Sequence, residues 1–142
     1  MEPHIPGITG VIQLAVAPVF MLTAVGTILA ALNIRLGRAV DRRRALEERR
    51  QALPGSQDDD AELAQIARRI RYVYLSIVFS VLSGLFVCLL IAGAFIGAFV
   101  AMDLTRVVAS LFVLAVASLT ISLLLFLREI FLAVSTPRHV PK

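Results

Sequence analysis

Tryptophan is absent from this 142-residue chain, and cysteine occurs once, as Cys88. A lone cysteine excludes an intrachain disulfide. Placed in an apolar run, it reads as a small packing residue rather than a reactive thiol. Without tryptophan, any aromatic belt at a membrane surface has to come from Tyr72, Tyr74 and the phenylalanines. Charge is missing over long distances: no Asp, Glu, Lys or Arg occurs in residues 3–34, 72–102 or 107–127. Proton relays and coupled transporters usually place Asp, Glu, Lys or His deep in a span, and none lies deep in these runs. His4 and His139 stand near opposite ends of the chain, which argues against haem ligation or a histidine metal site. No Ser/His/Asp, Cys/His or paired-carboxylate set has a plausible meeting place, and no glycine-rich phosphate loop precedes a helix. We therefore expect no catalytic residues, no cofactor and no metal, and a protein that is not an enzyme.

What remains is apolar. Hydrophobic residues make up 58% of the chain and the mean hydropathy is +0.86, above the roughly 45–50% apolar content of soluble domains. An uncharged run of about 18 residues or more is a membrane-span candidate. The three runs predict an all-α integral membrane protein, one membrane domain over residues 1–142, with spans at about 8–34, 72–101 and 104–127. The first run is too long for a secretory signal, and no basic residue precedes Arg35, so it reads as a retained helix.

Positive charge is concentrated on one side of these spans. Arg35, Arg38, Arg42, Arg43, Arg44, Arg49, Arg50, Arg68, Arg69 and Arg71 fall between the first and second runs, and Arg128, Arg138 and Lys142 follow the third. Only Arg106 lies between the second and third. Basic residues favour the cytoplasmic side, so the expected topology has the N-terminus outside and the C-terminus in the cytoplasm. The net charge of +4 is then a membrane signal, and nucleic acid is not an expected partner.

The arginine-rich stretch has helical spacing. Leu36, Val40, Leu46 and Leu53 on one arm, and Leu63, Ile66, Ile70 and Val73 on the other, recur at helical intervals. Pro54-Gly55 separates the arms. Asp59 and Glu62 fit a capping box, and Asp58 to Asp60 suit a helix N-terminus better than a cation site. Arg43/Glu47 and Arg44/Glu48 are four apart. A cytoplasmic helical hairpin over about 35–71 should thus prolong the first two spans. Arg35, Arg38, Arg42 and Arg71 are candidate contacts for anionic lipid headgroups. Glu129 could pair with Arg35 or Arg71 at a similar depth. Beyond the second run, Asp103 can cap the third helix, with Arg106 in reach.

Small and polar residues mark faces that meet protein, because they allow close helix approach. Thr9, Gln13, Val16, Phe20, Thr23, Thr27, Ala30, Asn33 and Gly37 step by three or four along one face of the first helix, and Asp41 and Glu48 continue it. Gln13, Pro18, Thr23, Thr27, Asn33, Gly37 and Asp41 are the candidate pore or packing residues. Pro18 removes one backbone donor within the span and reads as a kink. Ser76, Ser80, Ser83, Ala94, Ala98 and Ala101 form a seam on the second helix, with Gly93 and Gly97 on another face; the third carries Ser110, Ala117, Ser118 and Ser122. Two readings of the first face stand side by side: helix packing within and between subunits, or a wet pathway. Self-association is expected. The specific function expected is an oligomeric ion channel or pore lined by the first span. The alternatives are a non-conducting scaffold or accessory subunit of a membrane complex with an unidentified partner, and a sensor of lipid charge.

Two segments carry a resemblance: Ile12 to Phe20 (IQLAVAPVF) and Asn33 to Arg42 (NIRLGRAVDR). They resemble a family of small bacterial three-pass membrane proteins known mainly as a domain of unknown function. The resemblance implies a bacterial cytoplasmic-membrane protein and brings no activity or catalytic residue.

Overall fold

The computed structural model describes residues 8–52, 57–100 and 102–134. These form three helices, α1 (Ile8–Ala52), α2 (Gln57–Val100) and α3 (Thr105–Val134). Each is long and apolar enough to cross a membrane. In lipid, a helix is the form that satisfies every backbone donor and acceptor within its own segment, and the uncharged runs are helical over residues 8–34, 72–100 and 107–127. With 45, 44 and 30 residues, at 1.5 Å per residue, α1 and α2 measure about 65–70 Å and α3 about 45 Å. α1 and α2 therefore extend well past a hydrocarbon core of about 30 Å, carrying the helix into the arginine-rich stretch. α2 starts at Gln57, so Asp59 lies inside its first turn and does not stand ahead of it as the cap of a capping box. His4, Leu53, Pro54-Gly55, Ala101, Arg138, His139 and Lys142 lie outside the described residues.

The helices divide between two compact units. The first comprises the described parts of Met1–Leu29 and Phe79–Thr120. Its core is Val25, Val87, Leu90 and Ala115, with Ser80, Ser83 and Ser118 buried among them. The Ser83 hydroxyl donates to the Ala115 carbonyl at 2.8 Å, tying α2 to α3. A Cβ added to Gly84 would lie 3.6 Å from Val25 Cγ1, so α1 approaches α2 closely there. At the α2–α3 connection, Thr105 N–H donates to Asp103 Oδ1 at 3.1 Å and Val108 N–H to the Leu104 carbonyl at 3.0 Å. The bonds to Thr105 hold the Asp103 carboxyl below its ordinary pKa. Asp103 thus satisfies an orphan donor of the first turn, while Arg106 forms no ion pair with it among the described residues.

The second unit comprises the described parts of Ala30–Val78 and Ile121–Lys142. Leu32, Leu46, Ile66 and Val73 form its apolar core. Ser76 and Ser122 are matched reciprocally, each hydroxyl donating to the other's backbone carbonyl at 2.7 Å. Arg42 meets Glu62 at 2.8 Å and Arg50 meets Asp60 at 3.1 Å, joining α1 to α2. Arg43 pairs with Glu47 at 2.8 Å, whereas Arg44 and Glu48 form no ion pair among the described residues.

Burial follows a seven-residue repeat on each helix. On α1 it falls on Pro18, Val25, Leu32 and Leu46, with half-buried Ala39 at the position between the last two. On α2 it falls on Ile66, Val73, Ser80 and Val87, with Ser76, Ser83 and Leu90 between; on α3, on Ala115, Ser122 and Glu129. This is the 3.5-residue seam of helices that keep one face toward their neighbours. It corrects two expectations. Cys88 is exposed, because the repeat assigns burial to Val87 and Leu90 instead. The α2 seam runs on from Ser83 through those two residues, leaving Ala98 exposed, and Ser110 and Ala117 are likewise exposed on α3.

Gly97 is the glycine that close approach requires. A Cβ there would sit 3.3 Å from the Met102 carbonyl oxygen and 3.5 Å from Leu104 Cβ. A Gly97→Val substitution should destabilise the protein by about 1–3 kcal/mol through overpacking against backbone, read as a lowered unfolding midpoint in detergent. Gly26→Val, where no atom lies within 4 Å of an added Cβ, should leave the midpoint close to wild type.

Candidate functional site

In the second unit, the end of each apolar run supplies a charged residue to one cluster. Glu129, on α3, is 2% exposed. Its Oε2 accepts from Arg35 Nη1 of α1 at 3.0 Å. Its Oε1 accepts from Arg69 of α2, at 2.9 Å from Nη2 and 3.3 Å from Nε. One carboxylate is thus shared by arginines from two other helices. The Arg35 guanidinium also lies 4.9 Å from the centre of the Phe126 ring, a cation–π arrangement. Among the described residues no buried side-chain nitrogen or oxygen is left without a partner.

Beside this cluster is a cavity of about 360 Å³, lined by Arg35, Arg38, Ala39, Arg42, Ile66, Arg69 and Glu129. Four arginines face one glutamate. Of the sequence-level headgroup contacts, Arg35, Arg38 and Arg42 come together here, and Arg71 does not. Glu129 takes Arg35, as expected, but its second partner is Arg69. The reason is phase: Ile66, Arg69 and Val73 are three and four apart, on the buried seam, and Arg71 lies about 200° further round the helix. That spacing was the signal available for Arg69.

The α1 polar face is uncovered. In the first unit Thr9, Gln13, Thr23 and Thr27 are exposed; in the second Asn33, Gly37 and Asp41 are exposed. Thr23 and Thr27 donate to the carbonyls of Val19 and Thr23, at 3.4 and 3.0 Å. The side-chain amides of Gln13 and Asn33 have no partner among the described residues. Pro18 does not share this face: it is buried and lines an apolar groove with Leu90, Ala94, Val108 and Phe112. Among the described residues no group of three or more His, Cys, Asp or Glu is placed to hold a metal ion.

Packing within the chain leaves most of the helix surface bare. Only 17%, 28% and 17% of the most apolar stretches of α1, α2 and α3 is buried. Phe20, Phe99, Val113 and Phe131 are among the large apolar side chains left exposed. Three apolar helices with mostly apolar surface outward and Ser76, Ser80, Ser83, Ser118 and Ser122 inward define a multi-pass membrane protein. The chain belongs to the family described as Protein of unknown function (DUF2721), which it matches over residues 15–139, a range that takes in every residue lining the arginine cavity. No curated protein and no solved structure matches it.

Glu129→Gln removes the charge both arginines share. Breaking a buried pair costs about 3–5 kcal/mol, but Arg35 and Arg69 side chains are 41% and 31% exposed, so solvent screening should reduce the loss to about 1–3 kcal/mol. Chemical unfolding in detergent should register it. Arg71→Gln should leave stability unchanged; an equal loss there would contradict the assigned pairing.

Proposed function

We propose that the protein assembles from several copies in the bacterial cytoplasmic membrane, N-terminus outside and C-terminus inside, and that α1 lines an ion-conducting path between them. The arginine asymmetry supports the orientation, which makes the stretch between the first two spans a cytoplasmic helical hairpin. The observation that carries the assembly is the bare polar face of α1. An unpaired amide facing hydrocarbon is costly, and a second copy or water would satisfy Gln13 and Asn33. Aqueous lining by such groups is how membrane paths accept ions.

A second reading, a non-conducting scaffold or accessory subunit of a larger complex, is favoured by one observation. The Thr23 and Thr27 hydroxyls already donate within their own helix, so they fit a packing face as well as a wet one. Both readings are testable in one background. With Cys88 replaced by Ser, a single cysteine introduced at Asn33 should form disulfide-linked dimers under mild oxidation, and native mass spectrometry should find four or more subunits. Ion flux in liposomes that an Asn33→Leu substitution reduces supports the path. A ring without flux, or a stoichiometric foreign partner, supports the scaffold. A strict monomer without cross-linking overturns the assembly.

A further inference from the structure

The arginine cavity has a composition that helix packing does not require. One arginine would neutralise Glu129; the cavity holds four. We propose that it is a binding site for a phosphate-bearing anion, the chemical group an acidic phospholipid presents at a membrane surface. The inference does not rest on conduction or assembly.

Three features carry it. The first is charge. Both Glu129 oxygens are engaged by Arg35 and Arg69, and Arg42 is engaged by Glu62. Arg38 has no carboxylate partner among the described residues. The lining keeps a surplus of positive charge, with guanidinium donors uncommitted on Arg35 and Arg38 among the described residues. Guanidinium groups present paired N–H donors that match phosphate oxygens. The second is preorganisation. Glu129 and Phe126 hold Arg35, and Glu129 holds Arg69. A ligand therefore meets donors already held in place, which lowers the ordering cost of binding. The third is position. The uncharged run of α1 ends at Ile34, that of α2 begins at Tyr72 and that of α3 ends at Leu127. The lining residues follow or precede those junctions, and a bilayer spanned by these runs would place its headgroup phosphates near that level, where basic pockets between spans take acidic headgroups. The volume of about 360 Å³ falls within the roughly 300–1,000 Å³ of small-ligand pockets.

The test uses the full chain, purified in neutral detergent and stripped of lipid, at constant ionic strength. Its unfolding midpoint is followed against dihexanoyl phosphatidylglycerol, sodium phosphate and dihexanoylglycerol, the last having the same acyl chains without phosphate. A saturable rise with phosphatidylglycerol alone assigns the site to a lipid headgroup. A saturable rise with inorganic phosphate assigns it to phosphate in either source, and both results support the proposal. Arg38→Gln, which breaks no ion pair, should weaken the apparent affinity about tenfold through loss of one charge-assisted contact. Arg38→Lys, which keeps the charge and loses the fork, should fall between and serves if the glutamine variant does not fold. Arg106→Gln, outside the lining, should bind as wild type. No saturable effect of either phosphate compound, an equal effect of dihexanoylglycerol, or undiminished affinity in both Arg38 variants would overturn it.

Discussion

A buried carboxylate forfeits several kcal/mol of hydration unless positive charge and hydrogen bonds take the place of water. Glu129 receives both from two separate helices. Each oxygen is assigned to a different arginine, so the rotational phases of α1, α2 and α3 at this point are mutually constrained. Apolar contact cannot do this in a membrane, because lipid tails satisfy an apolar side chain as well as a neighbouring helix does. The pairing of Arg35, Arg69 and Glu129 is therefore the interaction on which the register of the second unit depends.

The serines act in the same sense at lower energy. Ser76 and Ser122 exchange hydroxyl-to-carbonyl bonds, and Ser83 reaches the Ala115 carbonyl. Such bonds in membrane helices average about 0.6 kcal/mol, so they specify more than they stabilise. Their small size matters as much: with serine on a seven-residue seam, α2 and α3 approach closely enough for backbone carbonyls to accept. Gly97 extends that closeness to the connection between these helices.

The two polar features of α1 differ in consequence. On the buried side, Arg35 belongs to a satisfied cluster beside a cavity with charge to spare. On the exposed side, Gln13 and Asn33 have no partner among the described residues. One helix thus carries a satisfied ionic cluster and, elsewhere on its surface, an exposed row of polar side chains.

Three helices, their approximate limits and the charged stretch between the first two were legible in the sequence, because hydropathy and charge density belong to segments and lipid permits little besides a helix. The Arg35–Glu129 pair was legible as one of two alternatives, Arg35 or Arg71, because both arginines lie at a similar distance from their runs. Rotation about each helix axis was not. Whether Arg69 or Arg71 meets Glu129, whether Pro18 joins the polar face, and whether Cys88 packs inside are questions of phase. Each residue step turns the helix by about 100°, and which side faces inward is fixed only when all three helices are packed at once. The tertiary structure made those choices: Arg69 on the seam, Pro18 turned inward, Cys88 outward, and four arginines around one cavity.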